Sequence, residues 1–269
     1  MNALSLAALT VLELSPVEMV RCAAATGYAH VGLRLLPAMP HEPVWDAAGD
    51  TPLVRELRHV LAGSGVGVLD IEILRLTPGV DVRGFLPVLE TGAALGARFV
   101  LVAGNDADEA RLTDRFGLLC DLAAPFALSP YLEPMPWTDL RDVVHAARIV
   151  EAAGRANAGV LVDPIHFDRA GSTFAQLASI APQRLAYMQF CDAPAERPTS
   201  VDELLRQARG DRLLPGDGGL GLRELLRAMP LDLPLSLEIP LARPAGLPAR
   251  ERARRAMDAT RRLLESIAD

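Results

Sequence analysis

The chain has 269 residues, half of them hydrophobic, and 34 acidic against 27 basic side chains leave a net charge of −7. So much apolar material excludes a disordered chain, and the length suits one α/β barrel of roughly 250 residues without requiring a second domain. The negative balance offers no general attraction to nucleic acid or to anionic lipid, so a small-molecule partner is expected.

The apolar start, Met1 to Leu12, has no basic residue before Arg21 and meets Glu13 early, unlike a signal peptide or membrane span; a cytoplasmic location is expected. From there, short apolar runs alternate with amphipathic ones. Strands are expected at Leu4 to Ala8, His30 to Leu35, Val66 to Leu74, Ala97 to Ala103, Phe126 to Glu133, Gly159 to Asp163, Leu185 to Cys191 and Leu235 to Ile239. Between the first two strands, Ser15-Pro16 starts a helix through Thr26 that Gly27 ends; later, Thr138-Asp139 starts one that Gly154 stops. The stretch from Asp192 to Leu220 is rich in Pro, Gly and Asp and follows the seventh strand, where a barrel places an active-site loop. The Arg-rich end, Arg243 to Arg262, alternates with Ala, Met and Leu at helical spacing and reads as a solvated helix face. Eight strand and helix units without an intervening linker predict an α/β fold, a single (β/α)₈ TIM barrel over residues 1–269.

In such a barrel the outward side of each strand must be apolar, which assigns the other side to the interior. By this parity Glu133, Asp163, Gln189 and Glu238 all point inward at or near the ends of four consecutive strands, where catalytic groups of barrels collect. Three buried carboxylates repel one another, and a hard divalent cation is the simplest remedy: Mn²⁺ or Mg²⁺, with Zn²⁺ as the alternative. Salt bridges to arginines inside the barrel are the competing structural explanation. Arg34 and Glu72 share inward parity on the second and third strands, as Leu69, Ile71 and Ile73 take the outward side; they pair with each other or meet an anionic or polyhydroxylated ligand, and Arg75 is a similar candidate. Trp45 and Trp137 sit in loops from which an aromatic can wall a pocket. Cys22, Cys120 and Cys191 are odd in number and scattered, so reduced core thiols are expected. His30, His41, His59 and His145 fit no ligand spacing, and the glycines around Asp217 form no nucleotide fingerprint.

Several of these residues together resemble a known family. Gly27-Tyr28 running into Val31-Gly32-Leu33, Leu132-Glu133-Pro134, Asp163 followed by His166, the Gln189 strand leading to Asp192, Pro215-Gly216-Asp217-Gly218 and Leu237-Glu238 occur in the order and spacing of the xylose isomerase-like barrels. That group includes sugar phosphate isomerases/epimerases and is related to the AP endonuclease family 2 fold. The resemblance spans nearly the whole chain. It implies that Glu133, Asp163, Gln189 and Glu238 are metal ligands, that Glu133 and Glu238 are the acid/base pair, and that His166 binds substrate. Two departures are visible: many members carry His where this chain has Gln189, and a Pro-Gly-Glu-Gly type motif reads Pro-Gly-Asp-Gly here.

The expected activity is isomerisation or epimerisation of a sugar or related polyhydroxylated carbonyl compound through a metal-stabilised enediolate. Loss of a β-hydroxyl from the same enolate would make the protein a dehydratase of a dehydroshikimate-like or inosose-like compound. A DNA repair endonuclease fits less well, for want of His ligands and of a basic surface. A barrel that only binds its ligand is a third class, which both glutamates disfavour. Homo-oligomer formation is compatible with the sequence.

Overall fold

Apolar runs of this chain pair as strands, and the amphipathic runs between them cover the sheet as helices. A computed structural model describes residues 2–39, 42–241 and 246–268; His41 and Arg243 lie outside the described residues. The strands are β1 Leu4–Ala7, β2 His30–Arg34, β3 Gly67–Leu76, β4 Phe99–Gly104, β5 Ser129–Glu133, β6 Gly159–Val160, β7 Met188–Phe190 and β8 Leu235–Leu237. The helices are α1 Pro16–Thr26, α2 Pro52–Ser64, α3 Leu86–Ala94, α4 Glu109–Ala123, α5 Val143–Ala153, α6 Pro164–Arg169, α7 Phe174–Ala178, α8 Val201–Gly210, α9 Leu222–Ala228 and α10 Ala249–Ala268.

The sheet runs β6-β5-β4-β3-β2-β1-β8-β7, and every neighbouring pair is parallel. A parallel bridge between Val162 and Met188 closes the ring from β6 to β7, where the Gln189 N–H donates to the Val162 carbonyl at 3.0 Å. This is the (β/α)₈ TIM barrel that the alternation predicts. The apolar N-terminal stretch forms β1, which lies between β2 and β8. Among the described residues no helix is long and apolar enough to cross a membrane.

Helix signals locate α1 well: Ser15 and Glu18 form a reciprocal capping box, and Gly27 ends the helix with φ 82°. The expected start at Thr138-Asp139 is corrected. Asp142 caps α5, while the Thr138 hydroxyl bonds the carbonyls of Met135 and Leu140, tying the preceding loop to itself. β5 starts three residues later than expected, because Ala124–Phe126 forms a 3₁₀ turn and Ala127 adopts φ 55°. The Asp192 to Leu220 stretch contains α8, capped by Ser200, where weak periodicity suggests only a loop. On the C-terminal helix Arg254 and Arg255 pair with Glu251 at the surface, in keeping with a solvated face.

Two cores result. The larger fills the space between sheet and helices. The smaller lies inside the barrel and comprises Leu69, Ile73, Phe99, Leu101, Ala103, Tyr131, Met135, Leu161 and Tyr187. Phe99 stacks on Tyr187 with ring centroids 4.4 Å apart and meets Tyr131 edge-on at 5.1 Å. The Tyr131 ring takes the space that a side chain on Gly159 would need, since a Cβ there would lie 2.2 Å from it. Its aromatic neighbours hold that ring in place. Gly159→Ala is therefore expected to destabilise the fold by about 1–3 kcal/mol through overpacking, read from urea unfolding; a loss below ~0.5 kcal/mol would show that the ring can move aside.

Candidate active site

The polar residues selected by parity do converge at the C-terminal ends of the strands. Glu133 ends β5, Asp163 follows β6, Gln189 sits in β7 and Glu238 follows β8; none is more than 5% exposed. Glu133 and Glu238 line a cavity of about 190 Å³ together with Arg34, Glu42, Arg75, Met135, Trp137, His166, Arg209 and Arg212, among others.

Local chain geometry explains each placement. Asp163 is the N-cap of α6: its Oδ1 accepts from the Ile165 N–H at 2.9 Å, and Pro164 supplies the first helical φ. One turn later His166 therefore returns over Asp163, with Nε2 at 3.9 Å from Asp163 Oδ2. Trp137 meets the imidazole edge-on at 4.9 Å. Burial pulls the His166 pKa down to about 4, with the Asp163 charge opposing, so the ring is neutral near neutral pH and can act as a ligand or hydrogen-bond partner. Trp45 packs by Arg34 in a neighbouring cavity instead.

Arg212 is the residue that sequence reasoning missed. Its guanidinium is 2% exposed and bridges two of the expected ligands, with Nη1 2.7 Å from Asp163 Oδ2 and Nη2 2.8 Å from Glu238 Oε2. It also donates to the Glu238 carbonyl at 3.0 Å and to the Ala208 carbonyl at 2.7 Å. The Pro215-Gly216-Asp217-Gly218 motif is the cause of its position. Asp192, buried after β7, accepts from the N–H groups of Gly216, Gly218 and Leu220 at 3.0 to 3.1 Å, and its backbone pairs with Leu213. The next residue back is thereby turned into the barrel mouth. A dication is thus not the sole source of counter-charge for the carboxylates: Arg212 neutralises part of their charge, as the competing salt-bridge explanation requires.

Part of the site stays unsatisfied. Glu133 Oε1 and both polar atoms of the Gln189 side chain are buried without a hydrogen-bond partner. Glu133, Asp163 and His166 each offer an atom within 4.8 Å of the others, a spacing that suits one ion. Burial, then the charges of Glu238 and Asp163, push Glu133 well above the usual carboxylate range. Burial also raises Glu238 despite Arg212. Burial opposes the charged form of Asp163 too, but Arg212, His166 and the Ile165 N–H outweigh it and hold the acid below its ordinary value. Buried orphan oxygens beside carboxyls that burial alone would protonate are a donor set that a hard cation satisfies, so these residues fit a divalent metal.

Arg34 and Glu72 form the expected pair at 3.4 Å, joined by Glu42 at 3.1 Å, which parity could not find because it lies in the loop after β2. The assignment of Leu69 and Ile73 to the outward side is corrected. Pairing with β2 skips Leu69, and pairing with β4 jumps from Ile71 to Leu74, so both residues join the interior cluster. Asp70 is a further buried acid without a hydrogen-bond partner, raised first by burial and then by Glu72 and Glu238; Gly32 leaves it room, since a Cβ there would sit 2.7 Å from Asp70 Oδ1. Arg75 lines the cavity and donates to Asn105 Oδ1 at 3.2 Å. Cys191 is a buried thiol as expected, but it touches the site: its Sγ is 3.6 Å from Asp163 Oδ1 and accepts from Arg212 at 3.4 Å.

A family model described as xylose isomerase-like TIM barrel matches residues 21–263. A protein named inosose isomerase from Halalkalibacterium halodurans is 24% identical over 219 residues, which span 74% of this chain and 73% of that protein. A solved structure described as IolI protein with a binding zinc atom superposes with TM-score 0.79 at 22% identity, covering 99% of both chains. Another, described as the probable 3-DHS dehydratase AsbF from Bacillus anthracis, gives TM-score 0.72 at 16% identity over 97% of this chain and 99% of that one. At such identities the structural likeness establishes the fold alone.

Removing Arg212 would leave Asp163 and Glu238 facing each other without a counter-charge. Arg212→Met is expected to lower the unfolding free energy of chelator-treated protein by about 3 kcal/mol, measured in urea; a change below ~1 kcal/mol would show that the bridge is not structural. Glu72 gives a pH signature. Burial, opposed by Arg34, pushes it from 4.5 to about 7, so between those values the native state keeps a proton that the unfolded chain has released, and stability falls as pH rises through that window. Glu72→Gln removes this dependence, which amounts to about 3 kcal/mol for a shift of that size. The Tm of the variant relative to the parent should rise between about pH 5 and about pH 8; a constant difference would show that Glu72 does not titrate there.

Proposed function

The chain belongs to the xylose isomerase-like TIM barrel family, and from that membership we propose that it is a divalent-metal-dependent isomerase or epimerase of a polyhydroxylated carbonyl compound. The observation that carries this reading is the gathering of Glu133, Asp163, Gln189 and Glu238, all buried, on neighbouring strands at one end of the barrel, with Glu133 and Glu238 lining a small cavity and oxygens of Glu133 and Gln189 without a hydrogen-bond partner. These four would hold the ion, with His166 close enough to Asp163 and Glu133 to serve the ion or the substrate. When bound, a divalent ion supplies positive charge that stabilises the enediolate of an α-hydroxycarbonyl compound. Mn²⁺, Mg²⁺ and Zn²⁺ all suit oxygen-rich donors of this kind, and the zinc atom named for one structural neighbour supports the last.

The chain's own residues would carry the protons. Glu133 and Glu238 come from β5 and β8, three strands apart in a ring of eight, and so reach a bound molecule from different sides. One takes the proton next to the carbonyl and the other returns one, which inverts a centre or moves the carbonyl. Arg212 fixes Glu238 and Asp163 by the bonds described, so the pair is held before substrate arrives. Arg34, Glu72 and Arg75 line or support the wall where hydroxyls would bind, and Trp137 with Met135 forms an apolar side that excludes water. The relative named inosose isomerase supports a polyol-like substrate.

Dehydration is the second reading. A raised, proton-holding Glu133 is the group needed to protonate a departing β-hydroxyl, and the neighbour described as a dehydratase supports it. Elemental analysis of purified protein should find about one divalent ion per chain. Glu133→Gln and Glu238→Gln should each cut solvent-proton exchange into a bound keto-sugar or cyclic ketone by about 10²–10⁴-fold at a temperature where thermal unfolding shows each variant still folded. Full exchange in either variant would defeat the acid/base roles, and loss of water from the substrate panel would select the dehydratase.

A further inference from the structure

Four arginines line the cavity, and they fall into two kinds. Arg34 is paired with Glu42 and Glu72, and Arg212 with Asp163 and Glu238, so each of these charges is matched within the protein. Arg75 and Arg209 form no ion pair with a carboxylate among the described residues. Arg75, at the end of β3, bonds only the neutral amide of Asn105. Arg209, near the end of α8, makes no hydrogen bond or ion pair among the described residues, because the acids flanking it, Glu203 and Asp211, both pair with Arg206. The two come from different sides of the opening and act on one another: Arg75 is pulled below its ordinary value first by burial and then by the charge of Arg209, with Glu133 and Glu42 opposing at longer range. Two like charges thus face one opening, Arg75 half-buried and Arg209 exposed, beside the apolar surfaces of Ile73, Met39 and Trp137, and neither guanidinium is engaged in an ion pair among the described residues.

We propose that Arg75 and Arg209 form an oxyanion subsite, so that the substrate of this cavity is a polyhydroxylated carbonyl compound bearing a carboxylate or a phosphate. The inference rests on the proposed function for the rest of the molecule it would hold, but the subsite itself is independent of the metal. Planar guanidinium groups suit either anion, because both accept paired N–H donors. A charge-assisted contact of this kind corresponds to about a tenfold gain in affinity or more. Neutral polyols would lack that gain and bind through hydroxyl contacts alone.

The test is direct binding to the purified full-length protein, by calorimetry or by the fluorescence of Trp137 at the cavity wall, with the metal content of each sample measured in parallel. Three probes of similar size are compared: quinate, which carries a carboxylate, myo-inositol 1-phosphate, which carries a phosphate, and neutral myo-inositol. At least one anion should bind about tenfold or more tightly than myo-inositol, and which of the two does so identifies the anion. Arg75→Met and Arg209→Met should each remove most of that preference, read as the ratio of anion to myo-inositol affinity, and Arg75→Lys and Arg209→Lys should restore part of it. Equal affinity for charged and neutral probes, no binding of either anion up to millimolar concentration, or a preference unchanged in both Met variants would overturn the subsite. Failure of the protein to take up Mn²⁺, Mg²⁺ or Zn²⁺ when each is supplied, with the anion preference retained, would instead overturn the metal-dependent reading and leave the subsite standing.

Discussion

Every feature of the barrel mouth answers to one constraint: negative side chains brought together out of water must find positive charge or keep their protons. This chain uses both solutions at once. Arg212 and Arg34 each bridge two carboxylates, so Asp163 is held ionised, while Glu133 and Asp70, which lack such a partner, are driven by burial toward the protonated form. The result is an uneven site, with Asp163 held charged by Arg212 while burial favours the protonated forms of Glu133 and, despite Arg212, of Glu238. An uneven site of this kind can exchange protons with a bound molecule, whereas a fully paired one would be only a structural ion cluster.

The scaffold turns that constraint into geometry through a few local devices. Parallel strands deliver their last residues to one end of the barrel, and the aromatic plug of Phe99, Tyr131 and Tyr187 fills the interior among them. Asp163 begins a helix as well as facing the cavity, which ties His166 to it by a single turn. Asp192 gathers backbone N–H groups of the Gly-rich loop, and a side chain at Gly218 would collide with it, a Cβ lying 2.3 Å from Asp192 Oδ1. That clamp, distant in role from any proton transfer, is what fixes the Arg212 guanidinium between two acids.

Within the site, legibility followed regularity. Glu133, Gln189 and Glu238 were readable because β5, β7 and β8 keep the strict alternation that assigns one side of a strand to the interior. β3 does not keep it. Its two register irregularities bring Leu69 and Ile73 inside with Asp70 and Glu72, and nothing in the residue order announces where a strand will slip against its neighbour. Glu42 and Arg212 belong to connecting segments, where no periodicity exists to report direction. For Arg212 a faint signal was present in the turn motif three residues downstream, but its meaning depends on Asp192, some twenty residues earlier in the chain, coming round to hold that turn.

The residue order alone determined the eight-unit α/β barrel, the helix ends marked by Ser15 and Gly27, and the set of acids at the strand ends, because hydrophobic period and cap chemistry are local properties that each segment expresses by itself. Only the tertiary structure decided how those acids are neutralised. Electrostatic pairing acts through space between segments far apart in the chain, Asp163 with Arg212 and Arg34 with Glu42 and Glu72, and a sequence lists charges without saying which of them will meet.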